Sequence, residues 1–296
     1  MKIQNKLNKN AFSLIELSVV ILIIGILILG VTKGSSLLAK TSLSSARSLT
    51  TSSPVPVIED LVAWYETSLE SSIDKSIAID GTTIDLVNGS SWNDNAPRKK
   101  RNATDVAGNP VYTELGINNL PSITFDGTGD SISFNASDLN ERFFTIFVVE
   151  RRGDDSATNH FLGLGAGAGF GYLTETTLTG PSIVDDLGEI KIFSNLTPRI
   201  ITFLSGPIST SNTKGIFING GSSTGEGSEL VDSQVASTPI ATTNAGTIGS
   251  DAGAANLYVG DISEIIIYNR SLNVNERNDV QEYLSKKYNI NVEESI

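Results

Sequence analysis

The sequence predicts a mainly β chain: a long N-terminal α-helix, an antiparallel β-sandwich body and a short C-terminal helix. Three observations carry this. Residues 12–31 form an unbroken apolar run of 20 residues in which Glu16 is the only charge. From Ile58 onward, short runs of β-branched and aromatic residues alternate with Gly, Asn, Asp and Ser clusters, the pattern of many strands joined by turns. The last stretch returns to helical spacing.

The first element begins with Lys2, Lys6 and Lys9 ahead of the apolar run, a basic end followed by a hydrophobic stretch. At ~1.5 Å per residue the run spans about 30 Å, the thickness of a bilayer core. No small-residue cleavage site follows it, so the plain reading is a single membrane helix with a short cytoplasmic end. The helix is expected to continue to residue 50, because Leu37, Leu38, Ala39, Leu43, Ala46 and Leu49 recur at spacings near three and four. Its serines weaken intrinsic helix propensity, so this face must pack on something. Pro54 and Pro56 then end it, and 51–57 reads as a linker.

The body, 58–296, is expected to hold strands near 122–125, 143–150, 199–204, 215–220 and 262–269. Asn219-Gly220 is a hairpin signal, since both residues tolerate positive φ. No repeat of fixed period is visible. In the last element Val280, Tyr283, Leu284 and Tyr288 share one helical face, with Asn273 as N-cap and two lysines in the last turn.

Composition narrows the function. The chain has 296 residues, 33 Asp+Glu against 21 Lys+Arg and a formal charge of −12, a balance that argues against general nucleic-acid binding. It has no cysteine, so neither disulfides nor thiolate metal sites are available. His160 is the only histidine, which excludes a multi-histidine metal site within one chain and makes a Ser-His-Asp triad improbable.

Glu16 needs a reason, because a charge in hydrocarbon costs about 2.5–3.5 kcal/mol on insertion scales. Ala11-Phe12-Ser13-Leu14-Ile15-Glu16-Leu17, after a basic leader and before an apolar run, resembles the processing site of type IV prepilins. The resemblance implies a leader, 1–11, cut between Ala11 and Phe12 by a prepilin peptidase, with methylation of the new N-terminal Phe12. The family's usual Gly before the cut is Ala11 here. It implies that the helix, 12–50, is first an inner-membrane anchor and then part of a filament core. There Glu16 would face the N-terminal amine of a neighbouring subunit, giving the charge a partner. Loss of the leader removes Lys2, Lys6 and Lys9 and leaves a still more acidic chain.

A second resemblance covers 58–290. The opening Leu61-Val62-Ala63-Trp64-Tyr65 and the closing stretch from Gly260 through Ile265-Ile266-Ile267-Tyr268 to Lys287-Tyr288 look like concanavalin A-like, laminin-G-type jelly rolls of bacterial surface proteins. That implies two stacked sheets and leaves the ligand open, since one fold hosts many functions. Trp64, Trp92, Tyr268 and Tyr283 read as core aromatics before sugar platforms. The small disulfide-bearing sheet of an ordinary pilin has no counterpart, which points to a specialised subunit.

Sites of chemistry are sparse. Glycosidases need two carboxylates; Glu189 and Glu264 each stand without a partner in their strands, so no enzyme is expected. Gly221-Ser222-Ser223-Thr224-Gly225 matches the hydrolase elbow formally but lacks a later histidine. The glycine alternation at 163–171 lacks the lysine of a phosphate loop and reads as a strand with one bare face. Asp126, Asp130, Asp138, Asp251 and Asp261 are candidate calcium ligands, as hard oxygens on loops; Asp also caps turns without metal. No other cofactor is expected. Arg98, Lys99, Lys100 and Arg101 form a candidate anion or DNA patch, although interleaved aromatics for single strands are absent. Five Asn-x-Ser/Thr sequons (Asn88, Asn102, Asn135, Asn195, Asn269) match chance in so Ser/Thr/Asn-rich a chain.

The combined expectation is a bacterial type IV pilin-like subunit that assembles with identical or related pilins and displays a lectin-like head for adhesion, with a glycan as candidate ligand. It would move from the inner membrane to an extracellular filament. The rivals are a type II secretion pseudopilin and a membrane-anchored carbohydrate-binding protein that never polymerises.

Overall fold

The computed structural model describes residues 14–293 apart from 74–77, 85–90, 99, 138, 140–142, 154–158, 166–168, 175–176, 180–189, 192–195, 209–210, 222–228, 232–244, 252 and 254. Two compact units result, Met1–Ser42 and Leu43–Ile296. Helix α1 (Leu14–Thr51) contains 38 residues. Its apolar stretch suits a helix because it has neither proline nor a run of turn formers. Hydroxyls along α1 find partners in the preceding turn: Ser18 donates to the Ile15 carbonyl at 2.8 Å and Thr41 to that of Leu37 at 2.9 Å.

The second unit holds the last turns of α1, then β1 (Leu61–Glu66), β2 (Thr82–Thr83), β3 (Asp105–Ala107), β4 (Val111–Ile117), β5 (Leu120–Asp126), β6 (Ser131–Asn135), β7 (Phe144–Arg152), β8 (Asn159–Leu164), β9 (Gly169–Thr174), β10 (Thr177–Thr179), β11 (Ile190–Lys191), β12 (Arg199–Ile208), β13 (Ser211–Ile218), β14 (Glu229–Val231), β15 (Ala245–Ile248), β16 (Val259–Tyr268) and α2 (Val274–Tyr288). The strands form two antiparallel sheets. One has nine strands in the order β14-β13-β12-β7-β16-β5-β4-β2, with β1 also on β16; the other has seven, β11-β10-β9-β8-β15-β6-β3. Strand β16 is the axis of the larger sheet. Strand β7 runs beside its whole length, while β5 flanks its first half and β1 its second.

The larger sheet is buried on both faces. Ile146 and Val148 of β7, Ile265 and Ile267 of β16, and Ile201 and Phe203 of β12 point into the core shared with Phe161, Leu162 and Phe170 of the other sheet. Phe147, Val149, Ile266, Tyr268 and Ile200 point the other way, into a second core closed by Val280, Tyr283, Leu284 and Tyr288 of α2 and by Ala46 near the end of α1. Strands apolar on both faces read as continuous hydrophobic runs, which is why 143–150 and 262–269 stand out in the sequence.

Helix α2 follows its sequence signals closely. Asn273 accepts from the Glu276 amide while the Glu276 side chain accepts from the Asn273 amide, a complete capping box. Asn289 ends the helix in the left-handed region at φ 51°. The second compact unit begins at Leu43 and so includes residues 51–57, read in the sequence as a linker. Val55 is buried and its carbonyl accepts from Tyr268 Oη at 3.0 Å, while Val57 closes a turn on Pro54. Proline stopped the helix, as expected; burial of the next apolar residue tied the chain down. Asn219 and Gly220 both have positive φ, but they open a wider connection between β13 and β14 rather than a two-residue hairpin.

Candidate functional site

The N-terminal segment carries the first candidate site. Ala11 and Phe12, the expected processing pair, lie outside the described residues. Glu16 lies in the first turn of α1, exposed amid apolar neighbours. Leu14, Ile15, Leu17, Val19 and Val20 are all about half exposed or more, and so are residues on every other side of the helix as far as Ile28. A helix apolar all round is suited to a membrane or to the core of an assembly. Among the described residues no helix is long and apolar enough to cross a membrane; in the sequence the apolar run continues through Leu29, Gly30 and Val31.

The second candidate lies in the head, under α2, and was half legible. Glu264 has a partner carboxylate after all. Glu66 of β1 stands opposite it in the ladder, and Lys287 Nζ sits between them, 2.8 Å from Glu264 Oε2 and 3.0 Å from Glu66 Oε2. A β-bulge at Ser263, between Ile262 and Glu264, turns Glu264 toward α2 instead of the inter-sheet core; re-aiming a side chain is a common role of bulges. Glu264 Oε1 accepts from Trp64 Nε1 at 2.7 Å and from Tyr283 Oη at 2.9 Å, and Oε2 accepts from Tyr288 Oη at 3.0 Å. Glu66 accepts from the Ser68 and Leu69 amides and from the Ser68 and Ser72 hydroxyls. Burial opposes ionisation of Glu66, but Lys287 and these donors together hold its carboxyl below the usual range. Burial alone would lower Lys287; the two carboxylates override it and push the ammonium up. The three side chains are sealed, at 0–1% exposure. Two carboxylates on one saccharide bond would need access, and these have none. Glu189 lies outside the described residues.

Lys287 and Glu66 escaped the sequence reading. The available signal was spacing: Lys287 follows Tyr283 by four residues and so shares the buried face of the helix.

Other expected site residues are dispersed. Trp92 donates to the Glu66 carbonyl at 2.8 Å and packs on Tyr65. Together with Trp64, Tyr268 and Tyr283 it is buried, so these aromatics are core. A separate buried cluster faces the inter-sheet core, where Glu150 accepts from Tyr172 Oη at 2.6 Å and Tyr258 Oη at 2.5 Å, and burial raises the Glu150 carboxyl.

The aspartates spend their oxygens on the chain. Asp126 accepts from the Thr128 amide; Asp130 accepts from the amides of Asn109 and Asp126. Asp251 accepts from the amides of Gly253 and Ala255 and from Asn256 Nδ2, and Asp261 holds Arg151 in a two-pronged ion pair. Asp138 lies outside the described residues, among which no group of three or more His, Cys, Asp or Glu could hold a metal. The basic stretch divides. Arg98 and Lys100 are exposed, Lys99 lies outside the described residues, and Arg101 is buried, its guanidinium donating to the Val62 carbonyl. Asp94 fixes that turn by accepting from the amides of Trp64, Ala96 and Arg101. Residues 222–225 of the elbow-like motif and 166–168 of the glycine run also lie outside the described residues. Among the described glycines, Gly169 is required by His160: any Cβ there would collide with the imidazole.

Residues 6–32 match the family of the prokaryotic N-terminal methylation motif, which bears out the prepilin-type reading of the N-terminus. No curated protein matches the chain. Among solved structures it is similar to the sialidase of Trypanosoma rangeli in complex with the inhibitor DANA, with 16% identity and a TM-score of 0.47 over 76% of this chain and 33% of that one. It is also similar to domain 4 of AbnA, a GH43 extracellular arabinanase from Geobacillus stearothermophilus in complex with arabinotriose, with 14% identity and a TM-score of 0.44 over 76% of this chain and 98% of that one. A third is the binding domain of Paraclostridial Mosquitocidal Protein 1, at 14% identity and a TM-score of 0.41 over 63% of this chain and 49% of that one. The chain spans about a third of the length of the sialidases it matches.

Proposed function

We propose that this chain is a type IV pilin-like subunit that polymerises through α1 and displays its β-sandwich outside the cell. The observation that carries the reading is the methylation motif at 6–32 running into a helix whose apolar side chains are exposed all round, with Glu16 their one charged neighbour. Such a helix is insoluble alone. A membrane covers the apolar surface but leaves Glu16, in the first turn, without a partner; a charge at a helix centre costs about 2.5–3.5 kcal/mol and one near the end costs less. A filament core covers the same surface and supplies Glu16 with the amine of a neighbour. The carboxylate thus favours assembly over storage in lipid.

In this reading a prepilin peptidase cuts between Ala11 and Phe12 and Phe12 is methylated. The inner membrane holds the subunit before assembly, and identical or related pilins are its partners. The head, in this reading, binds rather than catalyses; among the described residues its carboxylate pair, Glu66 and Glu264, is closed by Lys287. It serves surface adhesion; its concanavalin A-like sequence resemblance makes a glycan the ligand class to test. DNA is disfavoured by the acidic balance and by the inward turn of Arg101.

The test is the N-terminal mass of the full chain made in cells with and without a prepilin peptidase. The expected product with the enzyme begins at methylated Phe12 and retains the helix. An uncut chain in both strains would refute the reading.

A further inference from the structure

The Glu66–Lys287–Glu264 cluster does more geometrically than an ion pair requires. Lys287 Nζ touches Glu264 Oε2 at 2.8 Å, which holds the nitrogen beside the carboxyl group, so the entropy of bringing the two together is already lost on folding. The two oxygens of Glu264 are differently furnished. Oε1 faces two donors, the Trp64 indole N–H at 2.7 Å and the Tyr283 hydroxyl at 2.9 Å, placed where charge would develop on a tetrahedral intermediate. Oε2, beside the lysine, has the Tyr288 hydroxyl at 3.0 Å. Glu66 Oε2 lies 3.0 Å from the same Nζ, and its carboxylate is independently satisfied by Ser68, Leu69 and Ser72. Removal of the ammonium would therefore leave Glu66 with its hydrogen bonds intact.

We propose that Lys287 and Glu264 condense spontaneously into an intramolecular isopeptide bond that ties α2 to the central strand β16. The ion pair, which the two carboxylates favour, first passes one ammonium proton by way of Glu66 to Glu264 Oε2, giving a neutral amine and a neutral carboxylic acid. The nitrogen lone pair attacks Cδ of that acid, and the negative charge formed on Oε1 is held by Trp64 and Tyr283. Oε2, already protonated, takes a second proton from the attacking nitrogen; the C–Oε2 bond breaks with its electron pair and water leaves. One ammonium and one carboxylate become a neutral amide and one water, with no oxidant, cofactor or energy source.

Two features favour the product. The water leaves before α2 has closed fully on β16, and the sealed site then excludes the water that hydrolysis would need. The amide also removes one buried ammonium and one buried carboxylate, leaving Glu66 to its own hydrogen bonds. The amide oxygen inherits the donors already on Oε1. A chain with no cysteine would gain in this way the covalent staple that disulfides give other exported domains.

The test is the intact mass of the full chain, purified in detergent, followed by peptide mapping. The expected result is a protein one water lighter than its sequence, uncut by trypsin after Lys287, with a branched peptide joining Lys287 to Glu264. In Glu66→Gln the water loss should fall to a small fraction while the far-ultraviolet spectrum stays β-rich. The full sequence mass, or a water loss mapped elsewhere, would overturn the proposal. The wild-type measurement decides even if Glu66→Gln fails to fold. It is also independent of the filament reading, since a subunit that polymerises without the bond and a bonded chain that never polymerises are distinct outcomes.

Discussion

His160 shows how one side chain can set an acid limit. It is almost fully buried in β8, and neither ring nitrogen has a hydrogen-bond partner among the described residues. Burial lowers its pKa, with Asp251 opposing. The unfolded chain therefore takes up a proton near pH ~6.5 that the folded chain refuses. The stability involved is fully present above that pH and is lost as pH falls toward the lowered folded value. His160→Gln should flatten this part of the curve, which urea midpoints measured from pH 5 to 7.5 would show; an unchanged slope would place the acid sensitivity elsewhere. Lys287 sets a different kind of limit. Lys287→Met leaves Glu66 and Glu264 facing each other, buried and without a cation, and removes the Lys287 link from α2 to β16, so it is expected to cost at least about 3–5 kcal/mol, read as a lower chemical-denaturation midpoint.

At the scale of elements, α2 is held by its ends and by one face. Asn273→Ala removes half of the capping box and should cost about 1 kcal/mol, seen as a fall of a few degrees in melting temperature. This helix was legible because Asn273 followed by Glu276 is a local signal and Val280, Tyr283, Leu284 and Tyr288 mark one face. Strands β5, β7, β12, β13 and β16 were legible for a similar reason, as runs of β-branched residues between turn formers. What the sequence hid was register. The bulge at Ser263 decides which way Glu264 points, and a shift of one residue exchanges faces. No local pattern marks it, so Glu264 looked like a lone carboxylate when Glu66 stood across the ladder. The packed segment after α1 was hidden likewise: its prolines end the helix, but the burial of Val55 depends on Tyr268, far along the chain. Arg101 turned inward because Asp94 fixes its turn, a contact that charge counting misses.

At the scale of the whole molecule, the N-terminal motif was the most legible feature, since basic leader, Phe12, Glu16 and apolar run are contiguous in sequence. The ligand of the head was the least legible, because the conspicuous aromatics serve the core. A glycan array probed with whole filaments is expected to show binding to a defined sugar class; binding that follows net negative charge of the probes instead would point to Arg98 and Lys100.

The central claim is that Glu16 drives assembly. The most direct measurement is the amount of subunit in the sheared-filament fraction of cells carrying a prepilin peptidase, for the natural chain and for Glu16→Ala. The account predicts that the natural chain is recovered in filaments, whereas Glu16→Ala is processed at Phe12 but remains in the membrane, with filament recovery down by tenfold or more. Equal recovery of the two would contradict it and leave α1 as an anchor alone.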